Sequence, residues 1–310
     1  MITIMKSTDQ GLVRIETLVD GCWASLVDPS SDEITHIEKT FDIPADYLNA
    51  ALDLDETART EKENGTLMIV LRVPHFQGNQ ADLPYTTLPV GIVITDRVIV
   101  SVCKKSSVLI DDLAAGQARG LRTGKRSRFF LFLFLLAAKK YLQYLREINK
   151  TVDLLEDRLK MSLRNREVLE LLKYQKCLTY FTTALKANEL MMARLQRGHL
   201  FTMYPEDEDL LDDALTEIGQ AIEMTNISSG ILSQMMDAFA SIISNNLNVV
   251  MKFLTSVTIL LALPTLVASL YGMNVDLPLD HLPHAFWLVM GGAVALSIGV
   301  AVIFFRRDWL

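Results

Sequence analysis

The chain has few cysteines, and none of them are paired in a recognisable spacing. Its 310 residues include three cysteines, Cys22, Cys103 and Cys177, which lie far apart. No C-x-x-C spacing occurs, so neither a disulfide framework nor a structural zinc site is expected. A cysteine content of this kind is typical of a protein whose polar part faces a reducing compartment.

Basic charge and catalytic motifs are also scarce. The 30 Lys and Arg residues are outnumbered by 37 Asp and Glu residues, which leaves a formal net charge of −7. A nucleic-acid-binding domain normally has a basic excess, so we expect no nucleic-acid partner. The sequence contains no glycine-rich phosphate loop, no G-x-S-x-G and no H-E-x-x-H, and we therefore expect no enzyme.

The apolar residues are concentrated near the end of the chain. The composition is 50% hydrophobic with a mean hydropathy of +0.25, although 22% of the residues are charged. Residues 253–275 and 285–305 contain no charge, and roughly 20 helical residues cross a bilayer. Both segments are predicted to span a membrane. The ten apolar residues 129–138 are too short for this and predict a buried helix segment, with a membrane-surface contact as the alternative.

The charges around the two spans predict their orientation. Lys252 precedes the first span and Arg306 and Arg307 follow the second, whereas the loop 276–284 has no Lys or Arg. The positive-inside rule then places both ends of this helical hairpin in the cytoplasm. We expect a multi-pass protein of the cell (inner or plasma) membrane with both termini cytoplasmic and a large cytoplasmic region before the first span.

The first 124 residues predict a cytoplasmic α/β domain. Short runs rich in Val and Ile predict strands at 21–27, 66–73, 90–94 and 98–102. Helices are expected at 31–39, with Ser31 as the cap, and at 44–52, with Pro44 in the first turn. Residues 125–204 then predict an antiparallel pair of long amphipathic helices, at about 127–159 and 163–203.

A third long helix is predicted to begin at Pro205. No proline follows until Pro264, so this helix is expected to continue from a stalk segment, 205–252, through the first span to about Tyr271. At 1.5 Å per residue its length is on the order of 100 Å. Its acidic first turn, 206–209, complements the helix dipole, and a cation-sensing role is the alternative.

A polar stripe follows this helix into the membrane. Steps of three and four residues connect positions that are nearly all polar or small: Gln234, Asp237, Ser241, Ser244, Asn248, Met251, Thr255, Thr258, Ala262, Thr265 and Ser269. One interpretation is close packing between membrane helices. The other is a water-lined pore, which we favour because Asn and Gln are large for close packing. Two spans cannot enclose a channel, so this interpretation requires a homo-oligomer with one lining helix from each chain.

The chemistry of the stripe indicates which ions suit it. It has no carboxylate within the hydrocarbon, so amide, hydroxyl and backbone oxygens would contact the ion. Such groups suit Mg²⁺, which keeps its water shell, and the softer metals prefer thiolates and imidazoles that the span lacks. Met251 and Leu254 are predicted to form an apolar constriction that closes by dewetting.

The first span ends in Gly272-Met273-Asn274, and this tripeptide closing the first of two C-terminal spans resembles the CorA family of magnesium transporters. The segments 248–252 and 306–310 are also similar to that family. The resemblance implies an α+β membrane protein: an N-terminal cytoplasmic α/β domain, a long helical stalk and two C-terminal transmembrane helices, assembled as a homopentameric funnel in the lipid bilayer.

The resemblance also implies roles for individual residues. Gly272, Met273 and Asn274 would shape the outer mouth as an ion-selectivity element, with a ring of Asn274 side chains binding a hydrated cation. Asp237 would lie at a regulatory magnesium site between subunits, with Asp53 or Asp55 as its partner. The resemblance implies that Asn248, Met251, Leu254, Thr258 and Thr265 line the pore, and the polar stripe adds Thr255, Ala262 and Ser269 to the pore-lining positions.

The expected function is potential-driven uptake of Mg²⁺ through a central pore, gated by cytoplasmic Mg²⁺. Co²⁺ or Ni²⁺ are alternative cargo, and zinc transport by the same architecture is a further alternative, although zinc-exporting relatives end the span with a different tripeptide. The competing hypothesis is a membrane-anchored sensing or scaffold protein without ion flux.

Overall fold

The computed structural model describes seven segments of the chain: residues 2–8, 11–115, 121–161, 165–198, 204–273, 284–307 and 309. Two compact units divide the chain, Met1–Gln234 and Met235–Leu310. The strands are β1 Ile2–Thr8, β2 Gly11–Ile15, β3 Trp23–Val27, β4 Arg59–Glu63, β5 Thr66–Phe76, β6 Tyr85–Ile94 and β7 Ile99–Cys103. The α-helices are α1 Ser31–Phe41, α2 Ala45–Asn49, α3 Val108–Ala114, α4 Arg126–Met161, α5 Asn165–Arg197, α6 Pro205–Tyr271 and α7 Ala285–Arg306.

The first unit is built on a seven-stranded sheet of order β2-β1-β3-β7-β6-β5-β4. All neighbouring strands are antiparallel except β3 and β7. The predicted strands correspond to β3, β5, β6 and β7, whereas β1, β2 and β4 were not predicted. β4 has the sequence Arg-Thr-Glu-Lys-Glu, which contains no apolar residue. The strand lies at the sheet edge with its side chains largely exposed, so it needs no apolar side chain to fill a core.

Helices cover both faces of this sheet. One face packs against α1 and α2 in a core that includes Ala24, Ile37, Leu48 and Val100. On the other face the Trp23 ring meets Phe129 of α4 edge to face, with centroids 4.9 Å apart. The apolar run 129–138 is buried here in α4, which confirms the predicted buried helix segment.

The predicted start of α1 at Ser31 is confirmed, but the predicted cap of α1 and the predicted position of Pro44 in α2 were each wrong by one residue. Ser30 caps α1, not Ser31: the Ser30 hydroxyl accepts from the Glu33 backbone N–H at 3.2 Å, and the Glu33 carboxylate accepts from the Ser30 N–H at 2.9 Å. This reciprocal pair is a capping box. Pro44 precedes α2 rather than lying in its first turn, and a 3-10 turn, Ala50–Leu52, follows α2.

Arg72 of β5 joins the sheet to both long helices. Its backbone N–H donates to the Asn188 side chain of α5 at 3.0 Å, and its carbonyl accepts from the Asn188 amide at 2.7 Å and the Tyr141 hydroxyl of α4 at 3.1 Å. The Arg72 guanidinium donates to the carbonyls of Leu54 and Glu56 at 3.0 and 2.7 Å. One residue therefore links the sheet, α4, α5 and the loop that contains Asp53 and Asp55.

α6 is the expected long helix, with 67 residues from Pro205 to Tyr271. In the first unit its buried positions alternate by three and four residues, which is the spacing of a seam between packed helices: Leu211, Ala214, Ile218, Ala221, Thr225, Ser228 and Leu232. The Gln175 amide of α5 donates to the hydroxyls of Ser229 and Ser233 at 3.0 and 3.3 Å. In the acidic first turn, the buried Asp207 carboxylate lies 3.5 Å from the Arg128 guanidinium.

The second unit contains the last part of α6 and α7. Each of these two helices has a stretch long and apolar enough to cross a membrane. Pro264 lies inside α6, where its ring supplies no N–H to the preceding turn.

Candidate functional site: the exposed polar side of α6

In the second unit, one side of α6 faces α7. Ser256 is buried on this side, and the half-buried positions around it are all apolar: Val257, Leu260, Leu263, Pro264 and Val267. On α7 the corresponding covered positions have mostly small side chains: Ala285, Val289, Ala293 and Ser297. A cavity of about 350 Å³ lined by residues of both helices lies between them near the end of α6.

The predicted pore-lining residues lie on the opposite side of α6. With 3.6 residues per turn, they fall within about one third of the helix circumference, roughly half a turn from the side that faces α7. All eight are exposed within the described chain: Asn248, Met251, Leu254, Thr255, Thr258, Ala262, Thr265 and Ser269. α7 therefore covers the apolar side of α6 and leaves the polar side uncovered.

Two threonine hydroxyls on this polar side are oriented by the helix itself. Thr258 Oγ1 donates to the Leu254 carbonyl and Thr265 Oγ1 donates to the Leu261 carbonyl, both at 2.8 Å. A hydroxyl has one proton and two acceptor lone pairs. Because each proton is used within the helix, the oxygen remains an acceptor, which is the group that the water shell of a hydrated cation requires.

Met251 and Leu254 lie on the same side, about one turn before Thr258. Their side chains are 53% and 56% exposed, although neither carries a good hydrogen-bonding group. If copies of this side surround an axis, these residues contribute apolar rings, and an apolar ring closes a pore by excluding water.

Helix α6 ends at Tyr271, directly before the tripeptide Gly272-Met273-Asn274. The Gly272 N–H donates to the Ala268 carbonyl at 3.0 Å, and the Met273 N–H donates to the Leu270 carbonyl at 3.3 Å. The Met273 side chain is exposed. Asn274, which carries the predicted ion-binding amide, lies outside the described residues.

The three predicted regulatory carboxylates belong to different units. Asp237 is exposed on α6 in the second unit. In the first unit, the Asp53 carboxylate accepts from the Asp55 backbone N–H at 3.0 Å and so forms a local turn. Asp55 is exposed and borders a cavity of about 190 Å³ that is also lined by Thr57 and Arg72. Within the described segments, no group of three or more His, Cys, Asp or Glu residues could hold a metal ion.

Two features of the site were not foreseen from the sequence. Ser256 is fully buried on the α7 side, and its hydroxyl has no hydrogen-bond partner among the described residues. Arg72 holds the loop with Asp53 and Asp55 through two backbone carbonyls. The burial of Ser256 could have been predicted from helical spacing, because Ser256 lies four residues before the apolar Leu260 and therefore on the same side of α6. No local sequence pattern indicates the second.

Comparisons with known proteins agree with this architecture. The family model described as CorA-like Mg²⁺ transporter protein matches residues 20–307. The cobalt/magnesium transport protein CorA of Methanocaldococcus jannaschii is 29% identical over 299 residues, which cover 93% of this chain and 91% of that protein. The cobalt/magnesium transport protein CorA of Thermotoga maritima is 22% identical over 299 residues, 90% of this chain and 80% of that protein.

The solved structures show the same fold. The complete structure of the CorA magnesium transporter from M. jannaschii matches with a TM-score of 0.86 and 24% sequence identity, covering 100% of this chain and 99% of that one. Its fold agrees with the α/β domain, the long helices and the two apolar helices of this structure. Because the family model covers nearly the whole chain, this protein belongs to the CorA-like family of Mg²⁺ transporter proteins.

Proposed function

We propose that several copies of this chain form a Mg²⁺ channel in which α6 of each copy lines a central pore. The observation that carries the proposal is the position of the eight predicted lining residues on one exposed side of α6, opposite α7. Two apolar helices cannot enclose a pore, so the lining must come from a homo-oligomer. The resemblance to the family supports five copies.

The ion path follows the residues of that side. A ring of Asn274 amides at the outer mouth, shaped by Gly272 and Met273, binds a hydrated cation. The hydroxyl oxygens of Thr258 and Thr265 then accept hydrogen bonds from its water shell. Met251 and Leu254 form the apolar constriction. Ligands that are oxygen only favour Mg²⁺, and Co²⁺, Ni²⁺ and Zn²⁺ are the alternative cargo to be tested.

The membrane potential drives the ion inward. Each charge gains about 2.3 kcal/mol per 100 mV, so a divalent ion gains about twice that amount. Both ends of the hairpin lie on the cytoplasmic side of a cell membrane, since Lys and Arg flank the two spans and the loop between the spans has no Lys or Arg.

Cytoplasmic Mg²⁺ closes the pore by bridging carboxylates of neighbouring subunits. Asp237 supplies one carboxylate, and Asp53 or Asp55 supplies the other. Since the Asp53 carboxylate already accepts a backbone hydrogen bond, Asp55 has more free acceptor capacity.

Ion flux from the purified protein tests the proposal. The protein is reconstituted in liposomes with a Mg²⁺-sensitive dye, and an inside-negative potential is applied. We expect flux in the wild type, and loss of flux in Asn274→Ala. Asn246→Ala is the matched control because this residue is exposed on another side of α6.

The outcomes separate the competing hypotheses. A wild-type protein that gives no flux would favour the membrane-anchored sensing or scaffold function. Full flux in Asn274→Ala would overturn the assignment of the amide ring. Competition by Co²⁺, Ni²⁺ and Zn²⁺ in the same assay ranks the possible cargo.

A further inference from the structure

Helix α5 has an exposed side that alternates apolar and basic residues. Leu169, Tyr180 and Leu190 are 60%, 47% and 55% exposed, and large apolar side chains exposed along one side indicate an interface. With 3.6 residues per turn, the same side carries the exposed Lys176, Arg194 and Arg197, and the three carboxylates of α5 fall elsewhere on its circumference. We call the side with these six residues the α5 face.

The α5 face is concave over its first half. A groove of about 1010 Å³ is lined by this part of α5, including Leu169, Lys176 and Tyr180, together with Asp82 and Leu83 of the segment between β5 and β6. The apolar and basic side chains that α5 contributes to this groove suit another helix with exposed apolar residues and carboxylates.

Helix α6 of the first unit has such a side. From Pro205 to Met251 the chain contains nine Asp and Glu residues and no Lys or Arg. The α6 acidic face lies opposite the buried seam of α6 and ends in two apolar residues that are 52% and 55% exposed; its six members are Asp209, Asp212, Asp213, Glu223, Ile227 and Ile231.

The two faces also match along their length. Gln175 lies about 22 residues before the end of α5, and its partner Ser229 lies about 24 residues after the start of α6, so the two helices are antiparallel. We call the position of a residue along the common direction of α5 and α6 its height. The contact of Gln175 with Ser229 puts Arg194 and Arg197 at the same height as Asp209 and Asp212. It puts Lys176 and Tyr180 at the height of Ile227 and Ile231.

We propose that the α5 face of one copy packs on the α6 acidic face of the next copy in the ring. A rotation about an axis along α6 keeps every residue at its own height, so Arg194 and Arg197 meet Asp209 and Asp212. Because the two faces differ and lie on separate sides of one chain, the contact is head to tail, which is the kind that closes into rings. The inference rests on the proposed homo-oligomer and adds which surfaces assemble it.

Complementarity argues for a second copy over another occupant. Basic residues face acidic residues at one end of the contact, and apolar residues face apolar residues at the other. Opposite charges across an interface fix its register and suppress incorrect pairings.

Disulfide cross-linking between the faces tests the proposal. In the full-length protein, Arg194→Cys combined with Asp212→Cys should form disulfides between copies under mild oxidation. Because each copy carries both cysteines on a head-to-tail contact, we expect a ladder of bands that reaches the full ring size. Glu189→Cys with Asp212→Cys is the control, since Glu189 is exposed at nearly the same height on a different side of α5.

The native cysteines give little background. Cys22, Cys103 and Cys177 are buried. Burial also raises the pKa of the Cys103 thiol to about 12 and raises the pKa of Cys177, so few thiolates form at neutral pH. A ladder that stops at dimers, or that is equally strong in the control pair, would overturn the proposal.

A charge swap tests the same contact without cysteines. Arg194→Glu with Arg197→Glu should lower the oligomeric fraction in detergent at least severalfold, and adding Asp209→Arg with Asp212→Arg should restore it. Unchanged assembly in both variants would contradict the interface. Mg²⁺ flux is measured in parallel to separate the two proposals. A protein that conducts Mg²⁺ but gives no cross-linked ladder would refute only this interface. A protein that gives the ladder but no flux would refute only the proposed pore.

Discussion

At the scale of single residues, the orientation of a hydroxyl proton decides which hydrogen-bonding group a threonine presents to the proposed pore. Thr258 and Thr265 donate their protons to carbonyls four residues earlier, which leaves the oxygens as acceptors on the exposed side of α6. Bonds of this kind also satisfy a polar group that would be costly in hydrocarbon. A membrane helix can therefore carry hydroxyls that suit hydrated cations without losing its stability.

Replacing Thr258 by Val tests this role. Valine keeps the shape of the side chain but removes the acceptor, and a lost hydrogen bond of about 0.5–1.5 kcal/mol corresponds to a roughly two- to tenfold lower Mg²⁺ uptake rate. The liposome assay measures the rate. Thr258→Ser, which keeps the hydroxyl, should retain most of the uptake, and equal rates in the Val variant and the wild type would refute the role.

The Asn188 side chain makes a residue-scale contact between α5 and the sheet of the first unit. Its amide satisfies both backbone groups of Arg72 in a fully buried position. Asn188→Leu would leave the Arg72 N–H without its acceptor, whereas the Arg72 carbonyl would still accept from the Tyr141 hydroxyl. We therefore expect a loss of about 1–3 kcal/mol in the free energy of unfolding. Thermal denaturation of the full-length protein in detergent measures the loss. Asn226→Ala on the exposed side of α6 is the control and should change stability by less than about 0.5 kcal/mol; an equal effect of both variants would contradict the argument.

At the scale of elements, α6 changes the way it packs between the two units. In the first unit its buried seam includes small and polar residues such as Ala214 and Ser228. In the second unit its side facing α7 is mostly larger and apolar, as at Leu260 and Leu263, and the small side chains of that contact lie on α7, as at Ala293. Small side chains let helices approach closely, which matters in a bilayer because lipid gives no hydrophobic drive for helix association.

Enlarging a small residue between α6 and α7 should therefore separate them. Ala293 is 4% exposed at this contact, so Ala293→Leu should cost about 1–3 kcal/mol through overpacking. Thermal stability in detergent and Mg²⁺ flux are the measurements. Ala295→Leu, at an exposed position of α7, is the matched control. An Ala293→Leu protein as stable as this control would contradict the contact.

At the scale of the whole molecule, the proposed function requires copies of the chain to share one axis. The polar side of α6 in the second unit and the two complementary faces in the first unit are all exposed among the described residues of one chain. Assembly would cover the exposed apolar residues of both faces and place the polar side of α6 around water. The proposed homo-oligomer would meet both requirements.

The regulatory hypothesis also belongs to this scale because it needs carboxylates from two copies. Asp237→Ala should leave the channel conducting at internal Mg²⁺ concentrations that close the wild type, since the bridging ligand is lost. Currents from reconstituted protein at several internal Mg²⁺ concentrations measure the effect. Asp157→Asn, an exposed change on α4, should behave as the wild type, and unchanged inhibition in Asp237→Ala would place the sensor elsewhere.

Much of the element order was predictable because its signals are local. Uninterrupted apolar length predicted the two spans, and the lack of proline between Pro205 and Pro264 predicted a helix that the structure extends from Pro205 to Tyr271. Strand β4 was missed because it has no apolar residue, so its pairing with β5 alone makes it a strand. Strands β1 and β2 contain apolar residues, but not in the continuous Val- and Ile-rich runs by which the other strands were predicted. The cap of α1 was misassigned by one residue because Ser30 and Ser31 are both capping residues, and only the bond to Glu33 distinguishes them.

The sequence by itself determined which residues of α6 share a side, since helical periodicity depends on spacing alone. It also determined the two long apolar segments, because a helix needs about 20 consecutive apolar residues to cross the hydrocarbon of a bilayer. Only the tertiary structure decided that α7 covers the opposite side of α6, that Arg72 holds the loop with Asp55, and that the α5 face and the α6 acidic face stay exposed. These are contacts between distant segments, and their energies depend on packing that no local pattern encodes.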